Sequence, residues 1–254
     1  MAGRWSTLRP DEARPRLAAL GFRDEDVETL AAHFVDAEAR GQPSHGLARI
    51  EWLESWDALD TDARPVRVVE EPEYERWDGN GALGYLTLAA VVDAQLTSPP
   101  ARARLVVCSR TFPTGTLGYW ARRLAEGGLV ALLTATSPRR LPAPGGGEPL
   151  TGTNPLAIAI PSSDGAPVVT DVSMGAVTHG DVLAGRARPE ELVPFGGAQA
   201  HKAFALAVGL QLVVDALNPE DGFGAVLLVA RPEADPVPAF RDLAAGVRLP
   251  GDRG

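Results

Sequence analysis

The chain has 254 residues, 45% of them hydrophobic and 22% charged, which suits one substantial core or two small domains and excludes a disordered chain. Twenty-four basic residues against 33 acidic ones leave a net charge of −9, so neither nucleic acid nor an anionic membrane is expected as a partner. Cys108 is the single cysteine, which excludes a disulfide framework and points to the cytoplasm; residues 1–17 lack the apolar centre of a secretion signal, and no apolar run approaches the ~20 residues of a membrane helix.

In chain order, Pro10-Asp11-Glu12 opens a first helix that Gly21 stops. A second helix runs from about 23 to 40, with Val27, Leu30, Ala31 and Phe34 at helical spacing and Gly41 as its end. Ser44 reads as the N-cap of a third helix carrying Leu47, Ile50, Leu53 and Trp56. The alternation over Pro65–Glu70 predicts a strand. Helical patterning returns at 86–95, followed by a strand at 104–108, a helix around 119–125 and a strand at 129–135. The Pro- and Gly-rich stretch 141–152 is loop. Strand-like runs at 156–160 and 166–170 flank a turn at Ser162-Ser163-Asp164-Gly165. A helix over 199–217 ends at Asn218-Pro219, and a strand at 225–230 precedes a last helix at 237–247. Mixed helices and strands with a hairpin argue for an α+β fold rather than a regular βαβ series. Trp52, Trp56 and Trp120 read as exposed aromatics, His33 as a surface or boundary residue, and Cys108 as a small core residue. No spacing of His, Cys and carboxylates suits a metal.

Gly79-Asn80-Gly81-Ala82-Leu83-Gly84 matches the letters of the dinucleotide fingerprint. The residues before it, Glu73–Asp78, are too charged for a buried parallel strand, and no acid follows at the expected distance. A turn into the following helix is the better reading.

Ser44-His45-Gly46-Leu47-Ala48-Arg49 is chemically richer. A histidine in the first turn of a helix meets the positive end of the dipole, which disfavours a second proton. Ser44 can bond the ring or cap the helix, and Arg49 lies one turn on, able to grip a carboxylate with two parallel bonds. The plain alternative is a capping serine, an exposed histidine and a surface arginine.

Further segments follow: Thr151-Gly152-Thr153-Asn154-Pro155-Leu156-Ala157, Val169–Met174, Thr178-His179-Gly180-Asp181, Ala200-His201-Lys202-Ala203-Phe204-Ala205-Leu206, and Leu249-Pro250-Gly251-Asp252. In this order, together with S-H-G-x-x-R, they resemble the malate/L-lactate dehydrogenase family, and the H-G-D resembles its cyclic-imine reductase branch. The resemblance implies a non-Rossmann α+β fold. Its helical domain, residues 1–64 with 232–254 packed on it, would sit against a mixed, largely antiparallel-sheet domain, 65–231. It also implies a homodimer that acts on a small carboxylate-bearing substrate with NADH or NADPH.

By the same resemblance His45 is the proton donor, oriented by Ser44 and Asp181, while Arg49, Thr153 and His179 hold the substrate. Asp171, Val172, Ser173, Thr111, Phe112, His201, Lys202, Pro250, Gly251 and Asp252 take the places of cofactor contacts. The implied activity is reduction of a 2-imino (cyclic ketimine) or 2-keto acid, the imino acid favoured because His45 and Asp181 are kept. The departures are specific. The stretch 181–197 is short and lacks the tryptophan that contacts cofactor in the family. Thr111 stands where a histidine is usual, and Ala203 replaces a glycine. Two other readings therefore stand beside the reductase: a member without cofactor that performs acid/base chemistry (isomerase, lyase or cyclase), and an inactive dimer partner.

Overall fold

The computed structural model describes residues 8–252; the expectation about a leader falls partly on residues 1–7, which lie outside the described part. Helix α1 (Ala13–Ala19) follows a short 3-10 turn at Pro10–Glu12, and α2 (Asp24–Ala39) begins with three acidic residues facing its positive dipole end. Its last turn closes through Gly41, at φ +73°. A 3-10 turn, Pro43–His45, then leads to α3 (Ala48–Glu54).

Here the structure corrects the sequence reading. Ser44 lies inside the turn and is not a cap: the cap position is Leu47, whose N–H donates to the Glu38 carboxylate at 3.2 Å. A side chain from the preceding helix caps α3, and the Ser44 hydroxyl is released for the histidine beside it.

Seven strands follow: β1 (Val66–Glu70), β2 (Tyr74–Asp78), β3 (Ala103–Ser109), β4 (Val130–Ala135), β5 (Leu156–Ile160), β6 (Val168–Val172) and β7 (Ala225–Ala230). They form one sheet in the order β1-β2-β3-β7-β4-β5-β6, antiparallel except for the β2/β3 pair. Helices α4 (Gly84–Thr97), α5 (Leu117–Glu126), α6 (His179–Leu183), α7 (Ala200–Leu217) and α8 (Val237–Leu243) complete the fold. Strand β6 begins two residues later than its pattern suggested, and α8 stops short of Gly246, which sits at φ +82°.

Strand β2 occupies the stretch that looked too charged to be one. Glu75 is buried there because the Trp77 indole N–H and the Gln95 amide each donate to it at 2.9 Å, with Arg104 and Arg67 at 3.3 and 3.4 Å. A charge enters a sheet when its partners enter with it. The glycine loop therefore does follow a strand, but a Cβ on Gly79 would lie 2.2 Å from the Arg110 carbonyl oxygen. Chain, not phosphate, fills that space.

One continuous core joins the N-terminal helices to the sheet: Leu30 and Phe34 of α2 pack with Tyr85, Leu88, Trp120 and Leu124 of α4 and α5, and these cover Val106, Ala131, Leu133 and Leu227. Trp120, read as exposed, is fully buried, as is His33. At the chain's other end Pro250 accepts the Val169 N–H at 3.0 Å and the Gly251 carbonyl lies 3.5 Å from Arg40, so this segment bridges β6 and α2. The opposite sheet face is covered in part by α7, which seats Ala203, Ala207 and Val214 and leaves Leu206, Leu212, Val213 and Leu217 exposed. The stretch Gly197–Leu217 is long and apolar enough to cross a membrane by length and composition, a match that the run-length reading of the sequence missed because charged and small residues interrupt its apolar positions.

Candidate active site

A cavity of about 360 Å³ opens where the 3-10 turn, α3, the N-terminus of α4, the loop 112–116, the loop after β4 and the N-terminus of α6 converge. Ser44, His45, Arg49, Phe112, Thr153, Asp171, Ser173 and His179, all singled out from sequence, line it. Sequence positions far apart are brought together by close backbone approach. A Cβ on Gly180 would stand 2.7 Å from the Ser44 Cβ and 2.9 Å from its carbonyl oxygen, so only glycine lets α6 settle against the S-H-G-x-x-R turn.

The Ser44 hydroxyl lies 3.1 Å from His45 Nδ1. Arg49 donates from Nε to the Ser44 carbonyl at 2.8 Å and lays its guanidinium over Trp52, 5.4 Å from the ring centre. The planar head is thereby fixed at the wall of the cavity. Arg140 enters from the loop after β4, and burial and Arg49 both lower its pKa. Burial, then Arg49, then His33 hold His45 down to about 3. His179 is held near 4 by burial and the two arginines. Among the described residues, neither Arg49 nor Arg140 forms an ion pair with a carboxylate. Two guanidiniums and two neutral imidazoles around one cavity form a receptor for negative charge.

Asp181 does something other than expected. Its carboxylate accepts the Thr178 N–H and hydroxyl at 3.1 and 2.7 Å and pairs with Arg186, closing a capping box on α6. It makes no bond to His45; that ring is held by Ser44.

The cavity continues outward past Gln42, Thr116 and Asp171 into a groove of about 960 Å³. Asp171, Val172, Pro250, Gly251 and Asp252 line this groove together, with Arg40, Arg122 and Arg248. Asp171 accepts the Gly118 N–H at 2.8 Å in the first turn of α5, yet burial lifts it to about 6. Three expected contacts lie elsewhere. Thr111 is fully buried, with its hydroxyl on the Ser109 carbonyl and its N–H on Phe223. His201 and Lys202 are exposed at the start of α7 and line neither the cavity nor the groove.

The cavity residues missed from sequence include Arg140 and Tyr85. Arg140 hides in a Pro/Gly-rich stretch with no periodicity, and Tyr85 in an apolar helix where nothing marks one position as special; their chemical type, a cation and a phenol amid apolar neighbours, was the available signal.

Comparison with known proteins places the chain in a family. The malate/L-lactate dehydrogenase family matches residues 11–202. A malate dehydrogenase of Pyrococcus horikoshii is 30% identical over 83% of this chain and 59% of its own length. A (2R)-3-sulfolactate dehydrogenase (NADP(+)) of Chromohalobacter salexigens is 31% identical over 72% of this chain and 55% of its own. The crystal structure of the Δ1-piperideine-2-carboxylate reductase of Pseudomonas syringae superposes with a TM-score of 0.79 at 25% identity, covering 100% of this chain and 92% of that one. The chain spans somewhat over half the length of the curated relatives it matches.

Proposed function

The chain belongs to the malate/L-lactate dehydrogenase family, and on that premise we propose that it is an NAD(P)H-dependent reductase of a small 2-oxo or cyclic 2-imino acid. The observation that carries the proposal is the pair of guanidiniums, Arg49 and Arg140, set beside the Ser44–His45 pair in one cavity.

The groove suits a dinucleotide. Arg40, Arg122 and Arg248 offer fixed cations for phosphates, Asp36 and Asp252 offer acceptors for ribose hydroxyls, and Tyr119, Val35 and Val169 give apolar walls. When bound, reduced nicotinamide supplies the hydride. Arg49 holds the substrate carboxylate, with Thr153 and His179 beside it, and so aligns the carbon next to it. Burial depresses His45 most and Arg49 second, so a carboxylate seated on Arg49 offsets the second of these and returns part of the ring's basicity. His45 then brings a proton to the substrate oxygen or nitrogen, with Ser44 fixing the ring through Nδ1. Two guanidiniums favour a substrate with more than one acidic group, which moves the balance from the imino acid toward the oxo acid.

The protein is further proposed to act as a cytoplasmic homodimer. The exposed apolar face of α7, which continues onto Leu132 and Leu228, paired neighbours on β4 and β7, suits a second copy of the same face related by two-fold symmetry.

The test is a titration with NADH and NADPH followed by cofactor fluorescence, then turnover at 340 nm with pyruvate, oxaloacetate and a five-membered cyclic 2-imino acid. Binding in the micromolar to millimolar range is expected. No saturable binding of either dinucleotide at millimolar concentration sinks the reductase and promotes acid/base chemistry without cofactor.

A further inference from the structure

Tyr85 is the first-turn residue of α4, and its side chain has no solvent exposure. Its ring stands between His33, 4.9 Å away, and Phe34, 5.2 Å away, both edge to face. The fit depends on Gly115, at φ +69°, where a Cβ would lie 2.4 Å from the Tyr85 ring and 2.3 Å from the His33 ring. Packing therefore fixes the ring against His33, Phe34 and Gly115. Tyr85 also lines the active-site cavity, together with His45 and Arg49.

Among the described residues, the hydroxyl at the end of this ring has no hydrogen-bond partner. Buried hydroxyls are bonded almost without exception, because an unpaired one forfeits its hydration and gains nothing. The adjacent imidazole shows the same feature. His33 Nε2 accepts the Thr116 backbone N–H at 3.1 Å, so in the neutral ring the proton sits on Nδ1, and Nδ1 too is unpartnered. Two buried donors without acceptors stand in one aromatic cluster at the cavity wall. Burial raises the phenol's pKa, so at neutral pH it keeps its proton and acts as a donor.

We propose that the Tyr85 phenol is a specificity-determining contact that donates a hydrogen bond to an acidic oxygen of the ligand held by Arg49. This rests on the reading of the cavity as a site for small carboxylates. No proton is transferred from Tyr85: the phenol stays intact and supplies a directed, uncharged donor where a third cation would be repelled by Arg49 and Arg140. A ligand without an acceptor at that point leaves the donor unsatisfied, which is the strongest form of discrimination a buried polar group provides.

The experiment uses Tyr85→Phe, oxalate as an unreactive probe binding without cofactor, and calorimetry for both binding and thermal unfolding. Because the hydroxyl has no partner in the free protein, its removal should leave Tm unchanged or raise it. Oxalate affinity should fall by roughly 10- to 100-fold, the range for a hydrogen bond to a charged group, and kcat/KM on any substrate found should fall with it. Unchanged oxalate affinity in Tyr85→Phe overturns the proposal, and so does a wild type that binds no oxalate at millimolar concentration. A lowered Tm with unchanged affinity also overturns it, since the hydroxyl is then structural. Tyr85-dependent oxalate binding without any dinucleotide-linked turnover upholds Tyr85 and sinks only the reductase.

Discussion

The wall behind the cavity and the outward face of α7 are both rich in large apolar side chains, and the fold treats them in opposite ways. Behind the cavity, Phe34, Tyr85, Trp120 and Leu124 have no exposure to solvent, and His33 is buried as fully. On α7, Leu206 and Leu212 are 50% and 60% exposed. Local hydropathy demands burial in both places, but among the described residues only the first is covered. The first region backs the proposed active site, while the second is the face proposed for self-association. Substitutions in one should leave the property of the other intact.

The largest effect is expected at His45. His45→Ala should lower turnover by roughly 10²–10⁴ while light scattering returns the wild-type mass. Wild-type turnover in that variant would make the S-H-G-x-x-R turn structural.

Acid should strike the buried wall next. In the unfolded chain His33 takes a proton near pH 6.5, in the folded chain only near 3. Between those values the unfolded state binds more protons, so stability is lost as pH falls through the window, on the order of 4 kcal/mol from His33 alone. His45 and His179 act in the same direction. Asp171, raised to about 6 from 3.8, works oppositely: its folded form binds the extra proton, so its share is regained as pH falls. The urea midpoint should drop between pH 6.5 and 4, and His33→Leu should flatten that slope; equal slopes for both proteins refute the burial argument.

On the contact side, Leu206→Glu with Leu212→Glu should weaken self-association by about 100-fold, in line with burying unpaired charge at an apolar interface. The scattering mass should fall to that of the single 26.7 kDa chain, with dinucleotide affinity kept. A mass unaltered by the two glutamates means that this face is not the interface.

The smallest effect concerns Asp181. Since its carboxylate is the N3 half of the capping box with Thr178, Asp181→Ala should cost about 1 kcal/mol of stability, the order of a capping contact, and reduce turnover only a few-fold. A loss as large as that of His45→Ala would show that the carboxylate swings onto the ring during turnover.

Legibility in the sequence tracked how local each feature is. Helix α2 and strand β7 were readable because a period and a stop sit in one window: Val27, Leu30 and Phe34 before Gly41, and an unbroken apolar run over 225–230. The residues His45, Arg49, Thr153 and His179 were found through order along the chain, and folding does gather them. Strand β2 was missed because the partners of Glu75 come from α4 and β3, outside any local window. Ser44 was misread as a cap because Glu38, nine residues before Leu47, caps instead. Tyr85 was missed because its only local signal, a phenol amid apolar neighbours, does not show that its hydroxyl goes unbonded.

Strand β7 has a consequence for how the chain reaches this state. Residues 225–230 lie between β3 and β4 and hydrogen-bond to both, although β3 and β4 precede them by about a hundred residues in the order of synthesis. Until that segment emerges from the ribosome, the two halves of the sheet, β1-β2-β3 and β4-β5-β6, each hold an unpaired inner edge open to the wrong neighbour. Closing such distant pairings is entropically slow, so between the synthesis of β6 and that of β7 the nascent protein holds two incomplete sheets awaiting a single strand.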